Sequence, residues 1–131
     1  MRELWINIVT DDVKKAVAFY QGIGFTLNAH FPVSEEGASF YFNESKLILM
    51  VFHHSFFDGK IPSPLITHPH HHEVLLSIGA SSKEDADRLV ETAIRLGGKA
   101  LGTPAWSGNM YNTGFIDLDG HHWNILFYQN N

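Results

Sequence analysis

The segment 114–128, GFIDLDGHHWNILFY, constrains the fold of this 131-residue chain more than any other stretch. Two runs rich in aromatic and β-branched residues flank Asp119-Gly120. An Asp-Gly pair supplies the positive φ angles that a tight hairpin turn needs. The pattern therefore predicts two antiparallel strands joined at this pair.

Alternation in the second of these strands separates two chemical environments, because successive strand side chains point to opposite faces. One face is wholly apolar and suits packing against helices, with Trp123, Ile125 and Phe127. The other face mixes hydrogen-bonding and apolar groups, with His122, Asn124, Leu126 and Tyr128. Such a mixture is typical of a small-molecule pocket. A sheet face open to water is the alternative that the pattern leaves open.

The same order of elements occurs twice along the chain. Each half begins with an alternating strand, continues with a capped amphipathic helix that ends at glycine, and is followed by three strand candidates. The first half has strands at 4–10, 25–31, 38–42 and 46–53, and a helix after Thr10 or Asp11. The second half has strands at 73–78, 99–106 and in the final hairpin, and a helix after Ser81 or Ser82.

This repetition predicts an α+β fold built from a duplicated βαβββ unit. We expect one domain, 1–131, in which two modules of about 1–53 and 73–131 form paired curved mixed sheets with helices on the outer face. Between them, glycine, prolines and histidines interrupt the periodicity, so residues 54–72 are predicted to form a long connecting loop.

Composition excludes several classes of partner and chemistry. The chain has no cysteine, which excludes disulfides, thiolate catalysis and Cys-based metal sites. A formal charge of −5 without a basic stripe argues against nucleic acid as a partner. No apolar run approaches the ~20 residues that span a bilayer, and no signal segment precedes the first strand, so we expect a cytoplasmic protein that does not bind membranes.

Two segments carry a family resemblance: TDDVKKAVAFYQGIGF near the start and GFIDLDGHHWNILF near the end. The chain resembles the vicinal oxygen chelate superfamily, which includes glyoxalases, bleomycin resistance proteins and extradiol dioxygenases. It is most similar to the small glyoxalase-like branch, and the likeness extends over essentially the whole chain. The resemblance implies paired βαβββ modules, a small-molecule ligand or substrate and a homodimer.

In metal-dependent members of the superfamily, as the resemblance implies, four inward-facing side chains hold one divalent ion. The matching positions here are Trp5, Leu49, Glu73 and Asn124, with Asn7 as the polar neighbour on the first strand. One carboxylate and a neutral amide are fewer donors than a divalent ion requires. We therefore expect no cofactor at this position. Glu73 is then either a general base in a desolvated setting or a solvated residue at the start of a strand.

The histidine tract His68, His70, His71 and His72 favours adventitious surface binding of metal, because consecutive histidines in a loop do not converge easily on one ion. A rearranged site that joins His72 or Glu73 to His122 is the alternative.

Two functions follow from this sequence. The first is binding of a small, partly apolar or aromatic molecule without the family metal. The second is a lyase or dioxygenase reaction in which Glu73 is a metal ligand or base. The predicted ligand-binding residues are Trp5, Asn7, Leu49, Trp106, Tyr111, His122, Asn124 and Tyr128.

Overall fold

A computed structural model describes residues 2–44, 46–57, 65 and 70–130. The chain divides into two compact units, Met1–Thr67 and His68–Asn131. Most of the predicted loop 54–72 lies outside the described residues, apart from a short 3-10 helix, His54–Phe57, and the residues just before the second unit's first strand.

Among its described residues, the first unit contains one α-helix, the short 3-10 helix and a four-stranded mixed sheet. Its elements are β1 (Leu4–Thr10), α1 (Val13–Gly22), β2 (Thr26–Leu27), β3 (Gly37–Tyr41) and β4 (Leu47–His53). The strand order is β1-β4-β3-β2, with β1 and β4 parallel and the other pairs antiparallel. Asp12 caps α1 by accepting the Lys15 N–H, one or two residues later than expected. The predicted strand 25–31 is only two residues long.

The second unit repeats this plan with one extra short strand. Its elements are β5 (Leu76–Gly79), α2 (Lys83–Arg95), β6 (Lys99–Ala100), β7 (Ala105–Ser107), β8 (Met110–Ile116) and β9 (His122–Tyr128). The order is β5-β9-β8-β6, with β7 also paired to β8, and β5 runs parallel to β9. Ser82 caps α2, as one of the two expected residues. The predicted strand at 73–78 begins three residues late, which leaves Glu73 outside it.

The predicted α+β fold with a duplicated unit is confirmed, because the two sheets have the same strand order. In β1-β4-β3-β2 and in β5-β9-β8-β6, the first strand of the unit pairs with its last strand, followed by the strand before the last and then the second strand. In each unit the helix connects the first two strands and packs on one face of its own sheet. In the first unit, Tyr20 of α1 contacts Phe25 and Phe40, with ring centroids 5.4 and 5.8 Å away. These rings belong to the apolar core.

The turn between β8 and β9 is longer than a two-residue hairpin. It spans 117–121, and the Asp117 side chain accepts the N–H groups of Asp119 and His121 at 3.0 and 2.8 Å. Gly120 has a φ of 91°, as expected for a glycine at this turn, whereas Asp119 does not have a positive φ. The buried Asp117 carboxylate therefore sets the turn, and the prediction of a tight turn at Asp119-Gly120 is wrong in its length.

The burial of Leu49 generates the first prediction. Leu49→Ala should lower the free energy of unfolding by about 2–5 kcal/mol, because its side chain is fully buried under α1 and its loss leaves a cavity. Urea unfolding followed by circular dichroism measures this. The matched control is Leu4→Ala on β1, where the leucine is 61% exposed and the cost should stay within about 0.5 kcal/mol. Similar costs at the two positions would contradict the register.

Candidate functional site

Trp5 and Asn7 lie on the face of the first sheet opposite α1. The register pairs Trp5 with Ile48 and Ile48 with Tyr41, so these three side chains form one row across β1, β4 and β3. Paired residues on neighbouring strands point to the same face. Asn7 belongs to the next row on this face, beside Met50.

Leu49 does not share this face. Its partners are Ile6 and Phe40, and it is fully buried on the side that α1 covers. The expectation that places Leu49 with Trp5 is therefore wrong by one residue of register. The β4 residues that do lie on the Trp5 face are Ile48 and Met50.

A cavity of about 630 Å³ opens beside Trp5, and we call it the Trp5 pocket. Its apolar wall consists of Trp5, Phe31, Tyr41 and Ile48. The Trp5 and Phe31 rings meet nearly perpendicularly, 85° apart with centroids separated by 5.7 Å, a favourable arrangement for aromatic pairs. The volume lies within the range of ligand sites, roughly 300–1,000 Å³.

A buried asparagine holds the segment that carries Phe31. The Asn28 amide donates to the Ser39 hydroxyl at 3.3 Å, and its carbonyl oxygen accepts the His30 N–H at 3.1 Å. The Asn28 N–H also donates to the Ser39 carbonyl at 2.8 Å. These bonds fasten the chain after β2 to β3, and they position His30 and Phe31 at the pocket wall.

Trp5 is the one predicted ligand-binding residue among the described residues that line the Trp5 pocket. Phe31, Tyr41 and Ile48 are absent from the predicted ligand-binding set, although each lies near a position that the patterns did identify. The strand register pairs Trp5 with Ile48 and Ile48 with Tyr41, and this register cannot be read from the sequence. Phe31 precedes Pro32 at the predicted end of a strand, and this was the one available signal that the chain turns there.

In the second unit, His122, Asn124 and Tyr128 share the face of the sheet opposite α2. Their β8 partners are Ile116, Gly114 and Met110. Trp123 and Ile125 are buried on the other face, as the alternation predicts.

Trp106 and Tyr111 lie on the α2 side of the second sheet, apart from His122 and Asn124. Tyr111 is 3% exposed, and its hydroxyl donates to Asp87 of α2, which also accepts from Lys83 at 2.9 Å. Trp106 packs on Tyr111 with centroids 5.2 Å apart. The sequence predicts that these two aromatics bind a ligand together with His122 and Asn124. The structure places the two pairs on opposite faces of the sheet.

The contacts of Asp87 shift the pKa of each group in this cluster. The hydrogen bond from Tyr111, and then that from Lys83, lowers the pKa of Asp87. The same bond to Asp87 raises the pKa of Tyr111. The cluster thus joins α2 to β8 and has a structural role.

Glu73 and His72 lie just before β5. Glu73 is exposed, so the desolvated setting that a general base requires is absent there. His72 and His122 are in contact, with ring centroids 3.9 Å apart. Burial, and then the neighbouring His72, lowers the pKa of His122, while Asp117 acts in the opposite direction. Within the described residues, no group of three or more His, Asp or Glu side chains has an arrangement that holds a metal.

Comparisons with known proteins found one family model and several solved structures similar to this chain. Residues 2–36 match a family model described as bleomycin resistance protein-like N-terminal. The chain is 27% identical to a hypothetical protein from S. aureus, over 97% of this chain and 94% of that one, with a TM-score of 0.81. A search of curated proteins gave no significant match.

Two other solved structures share the fold. A glyoxalase/bleomycin resistance protein/dioxygenase family enzyme from Burkholderia phytofirmans is 21% identical, covers 95% of this chain and 97% of its own, and gives a TM-score of 0.77. A lactoylglutathione lyase from Agrobacterium tumefaciens is 17% identical, covers 95% and 91%, and gives 0.67.

These matches show that the chain has the fold of glyoxalase/bleomycin resistance/dioxygenase-like proteins. The chain resembles the vicinal oxygen chelate superfamily in its fold and over residues 2–36, in agreement with its two sequence segments. In the part of the chain that the structure describes, no helix is long and apolar enough to cross a membrane.

The residues at the superfamily's metal positions do not fit a metal. Trp5 offers no lone pair, and Leu49 has no donor and faces α1. Asn124 offers a neutral carbonyl oxygen, which leaves Glu73 as the one strong ligand type in the set. A divalent ion held by a single carboxylate keeps most of its water and binds weakly.

The environment of His122 generates a prediction about pH. Its pKa is lower in the folded protein than its ordinary value of 6.5, so the unfolded chain binds a proton more readily. The free energy of unfolding should therefore fall as the pH drops below about 6.5, and His122→Asn should remove part of that fall. Urea unfolding across this range provides the measurement. His30→Asn, at an exposed histidine of the first unit, is the control. An unchanged slope in His122→Asn would contradict the assignment.

Proposed function

We propose that the protein binds a small, partly apolar or aromatic molecule and does so without the superfamily metal. The Trp5 pocket is the observation that carries this proposal. It combines a cavity of ligand size with an aromatic wall on the face of the sheet that α1 leaves open. The bleomycin resistance-like match of residues 2–36 covers β1, α1, β2 and Phe31, which include part of this wall.

The polar groups of the pocket support specific rather than general apolar binding. Asn28 and Asn43 line the cavity together with the aromatic rings. The Asn28 amide is buried and bonded to Ser39 and His30, so the exposed amide of Asn43 is the group that would orient a bound molecule by hydrogen bonding. Asn43 has a φ of 54°, which directs the chain from β3 into the turn at the pocket rim. Asparagine adopts this left-handed conformation more readily than most residues.

The alternative, a metal-dependent lyase or dioxygenase that uses Glu73, has weaker support. To act as a metal ligand or base, Glu73 would have to lie on a strand, on the same face as the other ligands. Glu73 is instead exposed and precedes β5. The name of the Agrobacterium tumefaciens relative is the finding that favours it. Elemental analysis separates the two proposals.

Ligand binding is tested by a thermal-shift screen of metabolites and antibiotics. A compound present at about 100 times its dissociation constant should stabilise the protein by roughly 2.7 kcal/mol. For any hit, Trp5→Ala should weaken binding about tenfold or more, since a buried aromatic anchor carries a large share of binding energy.

Trp106→Ala is the matched control for Trp5→Ala. The two tryptophans have similar exposure, 40% for Trp5 and 45% for Trp106, but Trp106 lies on the α2 side of the other sheet. A compound whose binding is unaffected by Trp5→Ala and lost in Trp106→Ala would show that the binding site is not the Trp5 pocket.

Sedimentation of the same samples tests the expected homodimer.

The metal proposal has its own test. With any affinity tag removed, the purified protein should contain no stoichiometric metal, because the superfamily positions supply one carboxylate. Elemental analysis should compare the wild type, Glu73→Gln and a variant with serine at His68, His70, His71 and His72. One equivalent that survives loss of the histidines but disappears in Glu73→Gln would return the protein to the metal-dependent enzymes.

A further inference from the structure

The aromatic side chains of the Trp5 pocket form a wall with a flat aliphatic centre. Trp5 and Tyr41 stand on either side of Ile48 in one cross-strand row. Because neighbouring strands lie about 4.8 Å apart, the backbones that carry the two rings are roughly 10 Å from each other. Phe31 adds a third ring against Trp5. A ligand in this pocket therefore meets aromatic surface from more than one direction.

Carboxylates stand at the rim of the same pocket. Glu3 directly precedes β1, while Glu44 and Lys46 belong to the turn between β3 and β4. The Leu4 N–H donates to the Lys46 carbonyl at 2.8 Å, which holds the start of β1 against this turn. The described lining residues carry two carboxylates and one ammonium, so their formal charge is negative when His30 is neutral.

The Glu3 carboxylate lies next to the Trp5 side chain of the aromatic wall. A backbone hydrogen bond, and then a hydrogen bond from the Trp5 side chain, lowers the pKa of Glu3, with a smaller effect of the Lys46 charge. Its carboxylate is therefore ionised at neutral pH. The indole N–H is a donor only, so the Trp5 ring edge and the Glu3 carboxylate are complementary neighbours in the lining of the same pocket.

Aromatic faces next to carboxylates attract one class of ligand in particular. A cation is drawn to the negative face of an aromatic ring and to the carboxylate, and recognition of organic ammonium ions commonly uses this combination. An anion meets repulsion from Glu3 and Glu44, and a neutral molecule gains from the apolar wall alone.

We propose that the Trp5 pocket selects organic ammonium ions that carry an apolar or aromatic body. This inference rests on the proposed function and adds the charge of the ligand to it. Lys46 limits the selectivity, because its positive charge stands near Glu3 and opposes a second cation.

Three probes that differ only in their terminal polar group test the inference. Phenethylamine, 2-phenylethanol and 3-phenylpropionate place an ammonium, a hydroxyl and a carboxylate on the same ring and two-carbon chain. Calorimetric titration at neutral pH and low salt gives each dissociation constant. Phenethylamine should bind about tenfold more tightly than the alcohol, and the carboxylate should bind most weakly.

Charge variants at the rim identify the groups responsible. Glu3→Gln and Glu44→Gln should each reduce the preference for the ammonium probe about threefold and leave the alcohol nearly unaffected. Lys46→Gln should change the preference in the opposite direction. Glu35→Gln is the matched control, since it removes one exposed carboxylate of the same unit that does not line the pocket. Melting temperatures of all four variants verify folding.

The outcomes separate this inference from the proposed function. Equal binding of phenethylamine and 2-phenylethanol, or no binding of phenethylamine, overturns the ammonium selectivity. Unchanged preference in both glutamine variants at the rim overturns it as well. The proposed function fails by a different result, when no library compound binds in a manner that depends on Trp5. If Trp5→Ala changes the oligomeric state, the pocket is a contact between copies and both conclusions fall.

Discussion

Parallel pairing of the first strand with the last strand of each unit is the constraint on which the rest of the structure depends. β1 pairs with β4, and β5 with β9, each in parallel. A parallel pair cannot be closed by a tight turn, so the chain must leave the sheet, cross it as a helix and return through the remaining strands. The helix covers one face of its own sheet and leaves the opposite face uncovered by that helix.

In the first sheet, the face on which a side chain lies then decides whether it belongs to the core under α1 or to the lining of the Trp5 pocket. Phe40 and Leu49 pack under α1, while Tyr41 and Ile48, one residue away in each strand, line the Trp5 pocket. A shift of one residue in pairing would exchange the two sets. The lining of the Trp5 pocket therefore depends on strand register as much as the core under α1 does.

Much of the fold is predictable from sequence because helix caps, glycine stops and alternation are local signals. The site is less predictable where those signals fade. β4 is apolar on both faces, so nothing in LILMVFH tells Leu49 from its neighbours, and only pairing with β1 assigns its side. Tyr111 shows the same limit, since its partner Asp87 is 24 residues away in the chain. β9 alternates clearly, and its faces were predicted correctly.

Replacement of metal ligands by aromatic and aliphatic groups changes what the open face can attract. A metal site binds anionic or polar oxygen groups through the charge of the ion, and it requires several donors that converge. At the corresponding position of the first strand, Trp5 provides a polarisable surface instead, and the pocket rim beside it carries the carboxylates of Glu3 and Glu44 against the single positive charge of Lys46. A carboxylate in that setting interacts best with a positive ligand. The weak set of metal donors and the proposed preference for an ammonium ion thus both depend in part on the residues around the start of β1, Glu3 and Trp5.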